Sequence, residues 1–272
     1  MGVMSALVLA FVLGIGLSKI KNSAMLKVAE EFNQIVLMIV TNVLIPLVPI
    51  YIGCVFAKLS YSGEIFNTLK SFGIVYVLLF ALQLTYICIQ YCIAGAIKKQ
   101  NPFKLIKNMV PAYMTAVGTQ SSAATIPVTL QCVKKNDVNE EVLDFVVPLG
   151  ATIHLAGDTI TLVLTSMAVM YMNGQTPTFG MIMPFIFMLG VTMVAAPGVP
   201  GGGVMAALGL LESMLGFGAI EKPVMIALHA AQDSFGTATN VTGDGAIAIL
   251  VDYIINKKKG NSISKEDKVI SA

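Results

Sequence analysis

The chain has 272 residues, 56% of them hydrophobic and only 12% charged, with a formal net charge of +2 and a mean hydropathy of +0.81. Soluble domains carry about 25% charged residues, so this composition excludes an ordinary soluble domain. It predicts an integral membrane protein with several spans.

All 17 basic residues are lysine. The four cysteines, Cys54, Cys88, Cys92 and Cys132, form no C-x-x-C pair and read as small buried hydrophobes, without a disulfide framework. Residues 1–5 lack a basic n-region, and no A-x-A-like site follows the first apolar run, so no cleaved signal is expected.

In chain order, residues 3–18 are apolar but shorter than the ~20 needed to cross a bilayer. Lys19, Lys21 and Lys27 follow. A second apolar segment, 32–56, contains Pro46 and Pro49, which kink a spanning helix. A polar interval, 58–64, precedes a third span at 65–97.

Residues 102–135 are long enough for one crossing, yet lysines flank both ends: Lys104 and Lys107, then Lys134 and Lys135. Lysine-rich loops face the cytoplasm, so the segment must enter and return. Its midpoint, GTQSSAATIP at 118–127, suits a re-entrant hairpin tip. The next span, 145–172, is interrupted by GATIHLAGDT at 150–159. A second apolar segment, 181–215, is broken by PGVPGGG at 197–203, which cannot continue a helix. It reads as a second re-entrant hairpin, opening outward. The last span, 223–255, ends at Lys257, Lys258 and Lys259, and the polar tail to 272 is expected to be flexible.

Under this topology every lysine lies inside except Lys58, Lys70 and Lys222. A hairpin with a broken tip, then a span with a polar, unwound middle, occurs twice in opposite orientation. Such inverted repeats place substrate and coupling ions near the midplane.

The chain is organised around residues 229–244, HAAQDSFGTATNVTGD. Ionisable groups at bilayer depth cost at least ~2.5–3.5 kcal/mol each on insertion scales, so they mark pathways and sites. Asp233, Thr237, Asn240 and Asp244 recur at i, i+4, i+7 and i+11, one face of a helix.

GTQSSAATIPVT, PLGATIHLAGDT, PGVPGGG and GTATNVTGD resemble, in order, four signature regions of the dicarboxylate/amino acid:cation symporter family, the glutamate-transporter-like fold. The resemblance implies that Ser121 and Ser122 face the substrate from the first hairpin, and that Val199 and Gly203 lie in the tip closing over it from outside. It implies that Asp233 takes an amino group and Asn240 an α-carboxylate, with Thr237 on the same face. Asp244, Asn240 and the Gly150 carbonyl match a sodium site, with His154 expected as a further ligand of it, so sodium is the expected coupling ion.

The departures change the expected cargo. The family's N-M-D-G-T reads His154-Leu155-Ala156-Gly157-Asp158. Ala156 removes the carboxylate of a further sodium site, His154 replaces an asparagine shared between sodium sites, and Asp158 replaces a threonine beside the substrate side chain. The arginine positions of acidic-substrate members read Gly236 and Gln120 here. A neutral or cationic amino acid, or a related amine, is therefore the expected substrate, with a dicarboxylate or glutamate as the alternative. The family's first three spans have no counterpart, which leaves a fragment, a split protein or a shortened form open; a non-transporting or channel-like protein is the further alternative.

Each histidine precedes an aspartate by four residues, His154 with Asp158 and His229 with Asp233. On a helix such pairs face the same way. They could bind a transition metal, relay protons, or simply hydrogen-bond a buried carboxylate. Protons are the second candidate coupling ion. Ser121 and Ser122 lack the G-x-S-x-G context of a hydrolase, so no enzyme and no catalytic residue is expected.

The expected architecture is an all-α polytopic membrane protein of five transmembrane helices and two opposed re-entrant hairpins. Residues 1–64 form a partial scaffold. Residues 65–256 form a transport domain, with hairpin one at 102–135, span seven at 139–172, hairpin two at 177–217 and span eight at 221–256. Residues 257–272 form a cytoplasmic tail. Expected partners are a small-molecule substrate, lipid and two further copies in a homotrimer, with no nucleic acid. No cofactor beyond the sodium ion is expected, and the location is the cell (inner) membrane.

Overall fold

The computed structural model describes residues 3–20, 24–39 and 65–270, with isolated positions between 42 and 61. Every regular element among them is helical: α1 Val3–Ser18, α2 Ala24–Ile39, α3 Ile65–Lys98, α4 Pro102–Thr119, α5 Ser122–Lys134, α6 Glu140–Ile153, α7 Ala156–Met172, α8 Phe179–Met193, α9 Gly202–Leu215 and α10 Glu221–Ile270. The described residues thus make an all-helical polytopic membrane protein. Three described stretches are long and apolar enough to cross a bilayer: Phe72–Lys98, Glu140–Met172 and Glu221–Lys257. α1 has 16 residues. Ten residues of the expected 32–56 span, Pro49 among them, and most of the 58–64 interval lie outside the described residues, so the expected proline kink is not described.

The chain divides into two compact units. One comprises Met1–Tyr76 and Thr161–Ala231, the other Val77–Ile160 and Gln232–Ala272. In the first, α8 and α9 pack together, burying Phe185, Leu189, Ala207 and Leu210 completely. The Tyr76 hydroxyl donates to the Leu228 carbonyl at 3.3 Å.

The second unit has a core drawn from five helices: Tyr91 of α3, Leu105 and Met109 of α4, Val133 of α5, Val147 of α6 and Ile249 of α10. Here α4 and α5 form a helical hairpin. Asn101 caps α4 by accepting from Phe103 N–H at 2.9 Å, and Pro102 follows at the first helical position, where its missing N–H costs nothing. Gln120, at φ 53°, turns the chain in the left-handed region. Ser121 then caps α5, its hydroxyl accepting from Ala124 N–H at 3.2 Å. At the open end the Asn108 amide donates to the Lys135 carbonyl at 3.1 Å and to Asn136 Oδ1 at 2.7 Å.

Three expectations need correction. The seventh span breaks where expected, at His154–Leu155 between α6 and α7, but the eighth has no unwound middle. α10 runs continuously through 229–244, because its polar side chains find partners without opening the backbone. The 257–272 tail continues α10 as helix to Ile270; it contains no proline, and its lysines and glutamate are good helix formers. Only Cys132 is buried, whereas Cys54, Cys88 and Cys92 are exposed. Cys88 and Cys92 share α3 with exposed Leu84, Ile89 and Ile93, the apolar surface a spanning helix presents to lipid.

Candidate functional site

The helix face expected from spacing is buried along its whole length: Asp233, Thr237, Asn240 and Asp244 are each 5% exposed or less. A ladder of polar contacts accounts for this. The Thr237 hydroxyl donates to Asp233 Oδ1 at 3.4 Å. One turn on, Asn240 Nδ2 donates to Asp158 Oδ2 at 2.5 Å while its Oδ1 accepts from Gly157 N–H at 2.7 Å. One turn further, Asp244 Oδ1 meets His154 Nδ1 at 2.9 Å.

The α6–α7 break makes these contacts possible. Because α6 ends at Ile153 and α7 begins at Ala156, His154 and the N-terminus of α7 turn towards α10. Gly157 lies so close to the Gly236 carbonyl that a Cβ would overlap it. Gly150 is pressed in the same way by the Asp244 carboxylate. Small residues here are a condition of the approach.

His154 and Asp158 therefore do not pair. The i, i+4 rule assumes a continuous helix, and the break falls between them. Each side chain finds its partner on α10 instead. Asp158 and Asp233 approach one another, their carboxylate oxygens coming within 4.8 Å. His229 is buried in the first unit.

The hairpin tip joins the same unit. Gln120 Nε2 donates to the Ser234 hydroxyl at 2.9 Å. Ser122 is buried in the first turn of α5, and the Ser121 hydroxyl serves as the helix cap. Val199 and Gly203 lie in the first unit, at the turn into α9, where the Val199 carbonyl accepts from Gly202 N–H at 2.9 Å.

Two residues of α3 join the site without having been expected there. Tyr86 reaches His154 Nε2 at 3.4 Å, and Gln90 Nε2 donates to the Tyr86 hydroxyl at 2.8 Å. The signal was present in the sequence. Gln83, Tyr86 and Gln90 sit at i, i+3 and i+7, a polar stripe on an otherwise apolar span. Gln83 Oε1 in turn accepts from Gln232 Nε2 at 3.3 Å.

The sequence pattern of the sodium:dicarboxylate symporter family matches residues 1–254. Excitatory amino acid transporter 1 of Ambystoma tigrinum is 30% identical over 182 residues, covering 64% of this chain and 33% of its own length. The human protein of that name is 29% identical over 181 residues, with the same coverage. Human neutral amino acid transporter A is 29% identical over 174 residues, covering 63% of this chain and 32% of its own length. The chain thus spans about a third of the length of the curated relatives it matches. The match over 1–254 fixes the family: the chain belongs to the sodium:dicarboxylate symporters, which are transporters and not enzymes.

Proposed function

We propose that the chain works in ion-coupled symport of a neutral or cationic amino acid, or a related amine, by alternating access. The surroundings of Gly236 carry this reading. A Cβ there would lie 3.7 Å from Asp158 N and 3.8 Å from Asp158 Oδ1. Where acidic-substrate relatives are expected to hold an arginine, this chain offers a carboxylate, and a second one, Asp233, stands within 4.8 Å. A substrate carboxylate would meet like charge there, whereas an ammonium or an uncharged side chain would not. One relative's name, neutral amino acid transporter A, fits the same cargo.

Within this reading Asp233 takes the amino group and Asn240 the α-carboxylate, with Thr237, Gln120, Ser121 and Ser122 lining the site. Sodium is the coupling ion, held by Asp244, Asn240 Oδ1 and the Gly150 carbonyl, all hard oxygen donors. Asn240 Oδ1 and the Gly150 carbonyl each already accept one N–H, from Gly157 and from His154 at 2.8 Å. A carbonyl oxygen keeps a second lone pair for an ion. Both helical pairs, α4–α5 and α8–α9, are re-entrant, residues 65–256 form the moving domain, and the assembly is a trimer in the cell membrane.

Competition binding on the purified protein in nanodiscs tests the cargo. Neutral or basic amino acids should compete in the presence of sodium, and aspartate, glutamate and succinate should not. Tight binding of an acidic ligand would overturn the proposal.

A further inference from the structure

The contacts of α3 with His154 serve neither the substrate groups nor the carbonyl donors of the sodium site. We propose that Tyr86, backed by Gln90, is a positioning residue that holds the His154 imidazole on Asp244, so that the ring is a built-in occupant which the coupling cation displaces. The displacement part rests on the sodium reading above.

With Asp244 ionised and the imidazole neutral, the donors and acceptors fix one arrangement. Gln90 Nε2–H donates to the Tyr86 oxygen at 2.8 Å, which leaves the tyrosine hydrogen for His154 Nε2 at 3.4 Å. An ionised carboxylate can only accept, so His154 Nδ1–H donates to Asp244 Oδ1 at 2.9 Å. Both ring nitrogens are then engaged, and neither has a lone pair left for an ion. His154, expected as a ligand of the sodium site, instead covers the carboxylate oxygen that the ion needs.

Two further observations describe the space around the ring. The ring sits over Gly243, where an added Cβ would lie 2.5 Å from His154 Cε1 and 2.9 Å from Gln90 Oε1. Any side chain larger than glycine would press on it. Gln90 Oε1 is buried and has no hydrogen-bond partner among the described residues. That oxygen borders the same space as the ring, so it becomes one more hard donor for a cation once the ring has swung aside.

The test uses the full chain in nanodiscs and two readouts. The chain has two histidines, so the nitrogen NMR signals of histidine-labelled protein can be assigned by comparison with His154→Asn. The wild type should carry its His154 proton on Nδ1, with Nε2 as acceptor, and Tyr86→Phe should lose that preference. A wild-type ring protonated on Nε2 or on both nitrogens, or an unchanged pattern in Tyr86→Phe, overturns the positioning role. The second readout is thermal stabilisation by sodium chloride against choline chloride. Tyr86→Phe should lower the half-saturating sodium concentration about three- to tenfold, the worth of one hydrogen bond. No change, or a rise, overturns displacement. If sodium stabilises none of the variants, the sodium reading fails and displacement with it, while the NMR result still decides the role of Tyr86.

Discussion

Asn240 and Asp158 are joined side chain to side chain, the amide nitrogen of one donating to the carboxylate of the other at 2.5 Å. The same amide's oxygen accepts from Gly157 N–H at 2.7 Å. A single buried asparagine on α10 thus serves both the first-turn backbone of α7 and its acidic side chain. Half-helix N-termini at membrane depth need such partners, because no water is there to supply them.

Removing that amide should be expensive. Asn240→Ala removes this donor from Asp158 and the amide oxygen that accepts from Gly157 N–H, a loss of about 1–3 kcal/mol, or more with a charged group involved. Asn240→Asp should cost at least as much, because it sets a second carboxylate against Asp158. Thermal unfolding in detergent, followed by circular dichroism, checks the order; an Asn240→Asp protein more stable than Asn240→Ala would contradict it.

Gly157 and Gly236 should respond unequally to alanine, although they touch. A Cβ on Gly157 overlaps the Gly236 carbonyl, whereas one on Gly236 stays at ordinary contact distance, 3.7 Å or more, from its neighbours. Gly157→Ala is expected to destabilise by about 1–3 kcal/mol, as overpacking does, and Gly236→Ala by much less. Equal melting temperatures for the two variants would count against the described approach of α7 to α10.

Gly236→Arg should change the cargo. The new guanidinium would extend beside Asp158, adding a positive charge where the site carries carboxylates. Uptake of cationic amino acids should fall by at least an order of magnitude, and acidic ligands should begin to compete. Unchanged selectivity would mean that position 236 does not face the substrate.

Lys98 should matter for the open end of the α4–α5 hairpin. Its ammonium donates to the Asn136 carbonyl at 2.7 Å and to the Asp137 carbonyl, and lies 4.0 Å from Asp252 Oδ2. Asp252 Oδ1 in turn accepts from Asn139 N–H at 3.2 Å. Lys98→Met is expected to speed hydrogen exchange across residues 136–142 while leaving the hairpin tip unaffected, since local opening follows the loss of local contacts. Equal exchange in wild type and variant would show that the lysine does not tie this end down.

Parts of the molecule were legible in the sequence for physical reasons that also explain what was not. The helical face of Asp233, Thr237, Asn240 and Asp244 could be read because helix spacing is local. So could the break at residues 150–159 and the turn at Gln120–Ser121, where small and polar residues interrupt apolar runs. The partner of His154 could not be read, because a four-residue spacing means one thing on an intact helix and another across a break. The continuity of α10 was missed because a polar stretch looks the same whether its side chains or its backbone are being satisfied. Tyr86 and Gln90 were passed over because an apolar average hides a polar stripe.

The most direct test of the account is uptake by proteoliposomes across a panel of amino acids, with sodium and proton gradients imposed separately. Concentrative, sodium-driven accumulation of a neutral or cationic amino acid is expected, abolished in Asp244→Ala. A robust glutamate or dicarboxylate current, or flux that follows only the substrate's own gradient, would contradict it.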